Sequence, residues 1–200
     1  MNNRTMLPAD YCSVFTIDLQ KNKKLAILIN ILCLLIAVLM LLPAAVLVPL
    51  STLLDIMDMS LYLLRFGVML GGIIAYIVLH ELVHGLVMRT FSGVRPHYGF
   101  TGLYAYTGSA AYFSKKEYVT IALAPIVLWG LVLTVILFLV PVVWFWPVYI
   151  IQVVNISGAA GDLYVTVRFA RLPADILVKD TGVSMTVYSK TIQPSVGTQE

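Results

Sequence analysis

Charge is what this chain has least of. Of its 200 residues 12% are charged, 13 Lys and Arg against 10 Asp and Glu, while 60% are hydrophobic; a soluble domain carries about 25% charged residues. So thin a polar coat excludes a soluble globule of this size. Abundant apolar side chains and a net charge of only +3 exclude a disordered chain, and no nucleic-acid partner is expected. Cysteine is nearly missing: Cys12 and Cys33 are the two present, and they fall on opposite sides of the first membrane boundary, so a disulfide between them is not expected. The 13 glycines have no period, which rules out a collagen-like chain, and there is neither an internal repeat nor a low-complexity segment.

What is abundant is long uncharged sequence. A helix needs about 20 apolar residues to cross roughly 30 Å of hydrocarbon, and four runs qualify: 25–50, 61–91, 118–140 and 142–169. The expected fold is an all-α polytopic membrane protein, one membrane-embedded domain over 1–200 with four transmembrane helices. Pro141 and Pro147 mark a tight turn between the last two, which should form a helical hairpin. The first run is too long for the core of a cleavable signal and follows about 24 mixed residues, so it is expected to remain as an anchor.

Basic residues orient the spans, because they concentrate in short cytoplasmic loops. Lys21, Lys23 and Lys24 precede the first span; Arg89, Arg95, Lys115 and Lys116 lie between the second and third; Arg168, Arg171, Lys179 and Lys190 follow or end the fourth. All fall on one side, which puts both termini in the cytoplasm. The other side holds Asp55 and Asp58, the Pro141–Pro147 turn, an expected aromatic belt of Trp144, Phe145, Trp146 and Tyr149, and Arg65, expected to snorkel outward. Residues 171–200 read as a small cytoplasmic tail or short strands. Residues 98–114, Gly-rich with alternating aromatics, read as a β-hairpin at the membrane surface between the second and third helices. Such a hairpin either pairs its edge with an extended substrate segment or simply seats its tyrosines among the headgroups. Pro125, early in the third span, would kink the helix and free a carbonyl, shaping a cavity or only a packing bend.

Against this background the second span contains His80-Glu81-Leu82-Val83-His84. Positions i and i+4 share a helix face, so both imidazoles can reach one Zn²⁺, and Glu81 stands where a general base for zinc-activated water is needed. An ionisable residue inside hydrocarbon costs about 2.5–3.5 kcal/mol even on lenient scales and is functional by default, which makes a chance match weak. Two histidines leave a catalytic zinc short of a third protein ligand. Asp162 is the candidate: it lies nine residues before Arg171, as His80 lies nine before Arg89, about 13.5 Å in each case at the helical rise. The other readings of Asp162 are a pair with Arg168 or a cap on a helix restarting after Gly161. His97, beside Pro96 and outside the apolar run, reads as a surface residue.

Together these residues resemble the site-2-protease clan of intramembrane zinc metalloproteases. They are more closely similar to small bacterial membrane proteins grouped as zincin peptidases of unknown function. The resemblance rests on His80 to His84 on a membrane helix and on Asn155 in a Gly-containing segment ending in Asp162, and spans most of the chain from the second span to the fourth. It implies that His80, His84 and Asp162 are zinc ligands, that Glu81 is the catalytic base, and that Asn155 helps hold the substrate or the oxyanion. The chain departs from the better-studied members in having Gly158 and Gly161 where prolines follow the Asn, and Leu163 rather than Gly after the Asp.

The expectation is therefore a zinc-dependent, membrane-embedded endopeptidase of the bacterial cytoplasmic membrane. It would cut membrane-associated or transmembrane protein or peptide substrates near the cytoplasmic face, with the lipid bilayer around it. The competing class is a non-catalytic membrane protein with a structural or sensory metal site, for which Cys33 could supply a fourth ligand. A small transporter fits less well, since no paired halves are visible.

Overall fold

The computed structural model describes residues 4–54, 56–102 and 104–190; Asp55, Leu103 of the hairpin and residues 191–200 of the tail lie outside them. The described residues form five α-helices and six strands. Four helical segments among them are long and apolar enough to cross a membrane: 23–47, 59–92, 115–139 and 142–170.

Each helix begins or ends where its sequence has a reason to. Asn22 caps α1 (Lys23–Leu47), its side chain accepting from the Leu25 N–H at 3.0 Å. Asp58 does the same for α2 (Met59–Ser92), which Gly93 closes in the left-handed region at φ 70°. At 34 residues α2 is about 51 Å long, more than the hydrocarbon needs. α3 (Lys115–Leu139) starts three residues earlier than its apolar run because Ser114 and Glu117 form a capping box. Glu117 also accepts from Arg4 at 2.8 Å, which ties the N-terminal arm to this helix. The fourth run is two helices, α4 (Phe145–Gly158) and α5 (Ala160–Ala170), parted at Ala159.

The all-α expectation is corrected by the sheets. β1 (Tyr11–Asp18), β4 (Tyr112–Ser114), β5 (Leu177–Asp180) and β6 (Ser184–Lys190) form an antiparallel sheet in the order β1-β6-β5-β4. Within the mixed N-terminus and the tail, residues 11–18 and 184–190 are thus strands that pair with one another. β2 (His97–Phe100) and β3 (Ala105–Gly108) form a hairpin, with His97 opposite Gly108 and Phe100 opposite Ala105; it is shorter than the expected 98–114, whose last residues are β4 of the other sheet. The main core lies where the sheet packs against one end of the bundle: Phe113, Val178 and Val187 from strands meet Met88, Ile121 and Phe169 from α2, α3 and α5.

Two side chains near the opposite end are also corrected. Arg65 does not snorkel; it is 2% exposed and donates to the carbonyls of Leu61 and Thr52, holding the connection between α1 and α2. Trp146 is 1% exposed, and its indole N–H reaches the Pro49 carbonyl, while the Tyr149 hydroxyl donates to the Met40 carbonyl. These aromatics pin α4 to the end of α1 instead of standing only in an interfacial belt.

The β5–β6 turn is fastened to α3 through Asp180. Its carboxylate accepts from the Tyr118 hydroxyl and, at 2.7 Å, from the Gly182 N–H. Burial pushes the Asp180 carboxyl above its ordinary value, and these hydrogen bonds only partly oppose the rise. The folded protein therefore holds this proton more tightly than the unfolded chain. The resulting stability is full below the usual carboxylate range near about 4 and is lost as pH rises through the raised value. Unfolding midpoints measured in detergent from pH 4 to 8 should decline less steeply in Asp180→Asn than in the wild type; parallel profiles would remove Asp180 as the source.

Candidate metal centre

α2 places His80 and His84 on one face, with their Nε2 atoms 3.0 Å apart. The break at Ala159 restarts the helix so that Asp162 falls in the first turn of α5, where the positive end of the helix dipole favours a carboxylate. Asp162 Oδ2 lies 3.5 Å from His80 Nε2 and 3.6 Å from His84 Nε2. Among the described residues this is the one cluster where three His, Cys, Asp or Glu ligand atoms converge; Cys33 is a free thiol outside it. Arg168 is engaged elsewhere, donating to the Tyr164 hydroxyl and lying over the Phe15 ring.

The outer nitrogens decide what the inner ones present. His84 Nδ1 lies 2.9 Å from the Ile121 carbonyl oxygen. A carbonyl only accepts, so Nδ1 carries the proton and Nε2 offers a lone pair. His80 Nδ1 lies 2.7 Å from the Tyr76 hydroxyl, which is itself 3.1 Å from Asn155 Oδ1 and 3.3 Å from the Asn155 carbonyl. With the Tyr76 proton directed at Asn155, its oxygen accepts from His80 Nδ1, and His80 Nε2 is also a lone pair.

With both rings neutral, two imidazole lone pairs and a carboxylate oxygen face one another. In a buried site that arrangement calls for a cation. The spacing suits a metal: donors at about 2.0–2.1 Å from a tetrahedral zinc stand roughly 3.3 Å apart, against edges of 3.0, 3.5 and 3.6 Å here. His₂Asp donors accommodate several divalent ions, zinc among them.

Glu81 is held from the other side. The Thr107 hydroxyl on β3 lies 2.7 Å from Glu81 Oε2 and 2.9 Å from the Glu81 carbonyl. The hairpin can reach α2 because residue 85 is glycine: a Cβ there would collide with the Tyr98 ring. The hairpin therefore lies along the motif helix.

Asn155 is fully buried. Its amide donates to the Ile126 carbonyl and to Gln152 Oε1, both at 3.3 Å, and Gln152 in turn donates to the Gly130 carbonyl and the Thr134 hydroxyl. It meets the centre through Tyr76. His97 is exposed and donates to the Thr181 carbonyl at 3.2 Å. Tyr76, Gln152 and Thr107 belong to no chemical motif. Tyr76 stands four residues before His80 and Gln152 three before Asn155, spacings that put each pair on one helix face; no local pattern marks Thr107.

A pair of histidines from one helix, a carboxylate from another and a glutamate following the first histidine make the donor set of a zincin-type metallopeptidase. A family model described as "Putative zincin peptidase" matches residues 73–177, from within α2 to the start of β5, and the chain belongs to that family. No curated protein and no solved structure matches the chain.

If Tyr76 orients His80, Tyr76→Phe should weaken zinc binding by about 10- to 100-fold. Competition of the purified protein against a fluorescent zinc chelator would measure this, and unchanged affinity would exclude the orienting role.

Proposed function

We propose that the protein is a zinc-dependent, membrane-embedded endopeptidase acting on membrane-associated or transmembrane protein substrates. The observation that carries the reading is the convergence of His80, His84 and Asp162 beside a glutamate gripped by Thr107. A zinc ion held by these three side chains would supply a Lewis acid that brings the pKa of water toward about 7 and polarises a carbonyl.

The chain's own part is proton handling. Glu81 takes a proton from the attacking water as the new C–O bond forms, and delivers it to the amine as the C–N bond breaks. Thr107, donating to Oε2, directs the carboxylate and fixes which oxygen is engaged. β2 and β3 pair only with each other among the described residues, so an extended substrate segment added to this hairpin would run beside Glu81. That geometry favours strand addition over a purely interfacial role for the hairpin.

The protein would sit in a bacterial cytoplasmic membrane; the basic residues support the orientation, with both termini and the sheet on the cytoplasmic side. Lys23 opens α1, Arg89 lies in the last turn of α2, Lys115 opens α3 and Arg168 lies in the last turn of α5, all at helix ends that lead directly to strands. Water would then reach the centre from that side.

Glu81→Gln should retain stoichiometric zinc while cleavage of an unstructured or transmembrane peptide falls by about 10²–10⁴-fold. His80→Ala, His84→Ala and Asp162→Ala should each lose zinc. Metal analysis of the purified proteins with a peptide-cleavage assay checks both. Zinc retained by Asp162→Ala removes that residue from the ligand set, and full zinc with no Glu81-dependent cleavage of any peptide favours a structural or sensory site.

A further inference from the structure

An α-helix directs the N–H of residue i+4 at the carbonyl of residue i. In α3 the N–H that would reach the Ile121 carbonyl belongs to residue 125, and residue 125 is proline, which has none. That freed carbonyl is the one to which His84 donates, at 2.9 Å, in a buried contact between α3 and α2. Ile121 is 1% exposed, so bulk solvent does not reach this oxygen, and Pro125 is buried as well. A proline inside a membrane helix is tolerated where a neighbouring helix satisfies the orphaned group; here the satisfying group is an imidazole of the candidate metal centre.

We infer that Pro125 is a positioning residue for the metal: by withholding its N–H it reserves the Ile121 carbonyl for His84, which fixes the imidazole with Nδ1 protonated and Nε2 turned toward His80 and Asp162. The inference rests on the metal-site reading above and extends it to a third helix. A bend required only for packing would leave the identity of the carbonyl's partner irrelevant. With Ala at 125, the helical N–H competes with His84 for the same oxygen. The helix itself gains, since the ring clash disappears and alanine is the better helix former. The two roles therefore move in opposite directions, with fold stability held or raised and metal affinity lowered.

The test uses cobalt(II) as the probe, titrated into the chelator-stripped full-length protein in detergent. Affinity and the visible d–d absorption are read together with the unfolding midpoint of the metal-free protein. Pro125→Ala should bind cobalt at least tenfold more weakly, with an altered spectrum and no loss of metal-free stability. Replacing residue 125 by lactic acid, which puts an ester where the amide was and has neither ring nor N–H, should restore wild-type affinity and spectrum. Cobalt binding by Pro125→Ala within twofold of wild type, or a lactic acid variant as weak as the alanine one, overturns the inference. A wild-type protein that takes up no cobalt overturns the metal-site reading itself. Should Pro125→Ala not fold, ¹⁵N spectra of histidine in the zinc-loaded wild type decide: a protonated Nδ1 and a coordinated Nε2 at His84 are expected, and coordination through Nδ1 refutes the role.

Discussion

Two imidazole lone pairs and a carboxylate oxygen do not share a buried space without positive charge among them. His80, His84 and Asp162 are held in that arrangement, with edges of 3.0 to 3.6 Å, and much of the surrounding structure serves to keep it so. The histidines come from consecutive turns of α2, where helical periodicity alone brings them together. The aspartate comes from α5, and it reaches them because the fourth run breaks at Ala159 and starts a new helix at Ala160, two residues before it.

The same constraint explains the polar side chains inside an otherwise apolar bundle. Each buried donor or acceptor left unpaired costs about 1–3 kcal/mol, so a ligand oriented by a hydrogen bond must be backed by further bonds until the chain ends in groups already satisfied. From His80 the path runs through Tyr76 to Asn155, then to the Ile126 carbonyl and Gln152, and ends on Gly130 and Thr134. It joins α2, α4 and α3. From His84 the path is one step long, because Ile121 already presents a carbonyl with no helical partner. The two histidines are thus oriented by two devices, a side-chain relay on one face and a backbone gap on the other.

What could be read in advance follows the range of the interactions. The histidine pair was legible because i, i+4 spacing is local, and Asp162 because depth in a helix is a residue count. The four long helices were legible from length and hydropathy, though α3 begins at its Ser114 cap and not at its first apolar residue. The proline-freed carbonyl could be foreseen, but its partner lies 37 residues away on another helix. β1, β5 and β6 were harder. They are short, and β1 pairs with β6 from the other end of the chain, Tyr11 opposite Lys190, a pairing that no window of sequence contains. Asn155 was singled out by resemblance alone; its amide donates to the Ile126 carbonyl and to Gln152, partners that no local pattern marks.

The sheet bears on the centre through the hairpin. Ser109, directly after β3, donates to the Asp180 carbonyl, and the Asp180 side chain accepts from Tyr118 on α3. Tyr106 packs against Gly182 in the adjoining turn, where φ is 79° and a side chain would collide with the ring. β3 is therefore fixed at its end by the sheet and along its face by α2, and Thr107 meets Glu81 from a strand with little freedom to move. The proton transfer proposed for Glu81 needs a carboxylate of stable orientation that does not lose both oxygens to hydrogen bonds. Among the described residues the Thr107 contact engages Oε2 alone, leaving Oε1 for the proton. The strands at the end of the bundle thus bear on the candidate centre: they hold the glutamate while the helices bring His80, His84 and Asp162 together.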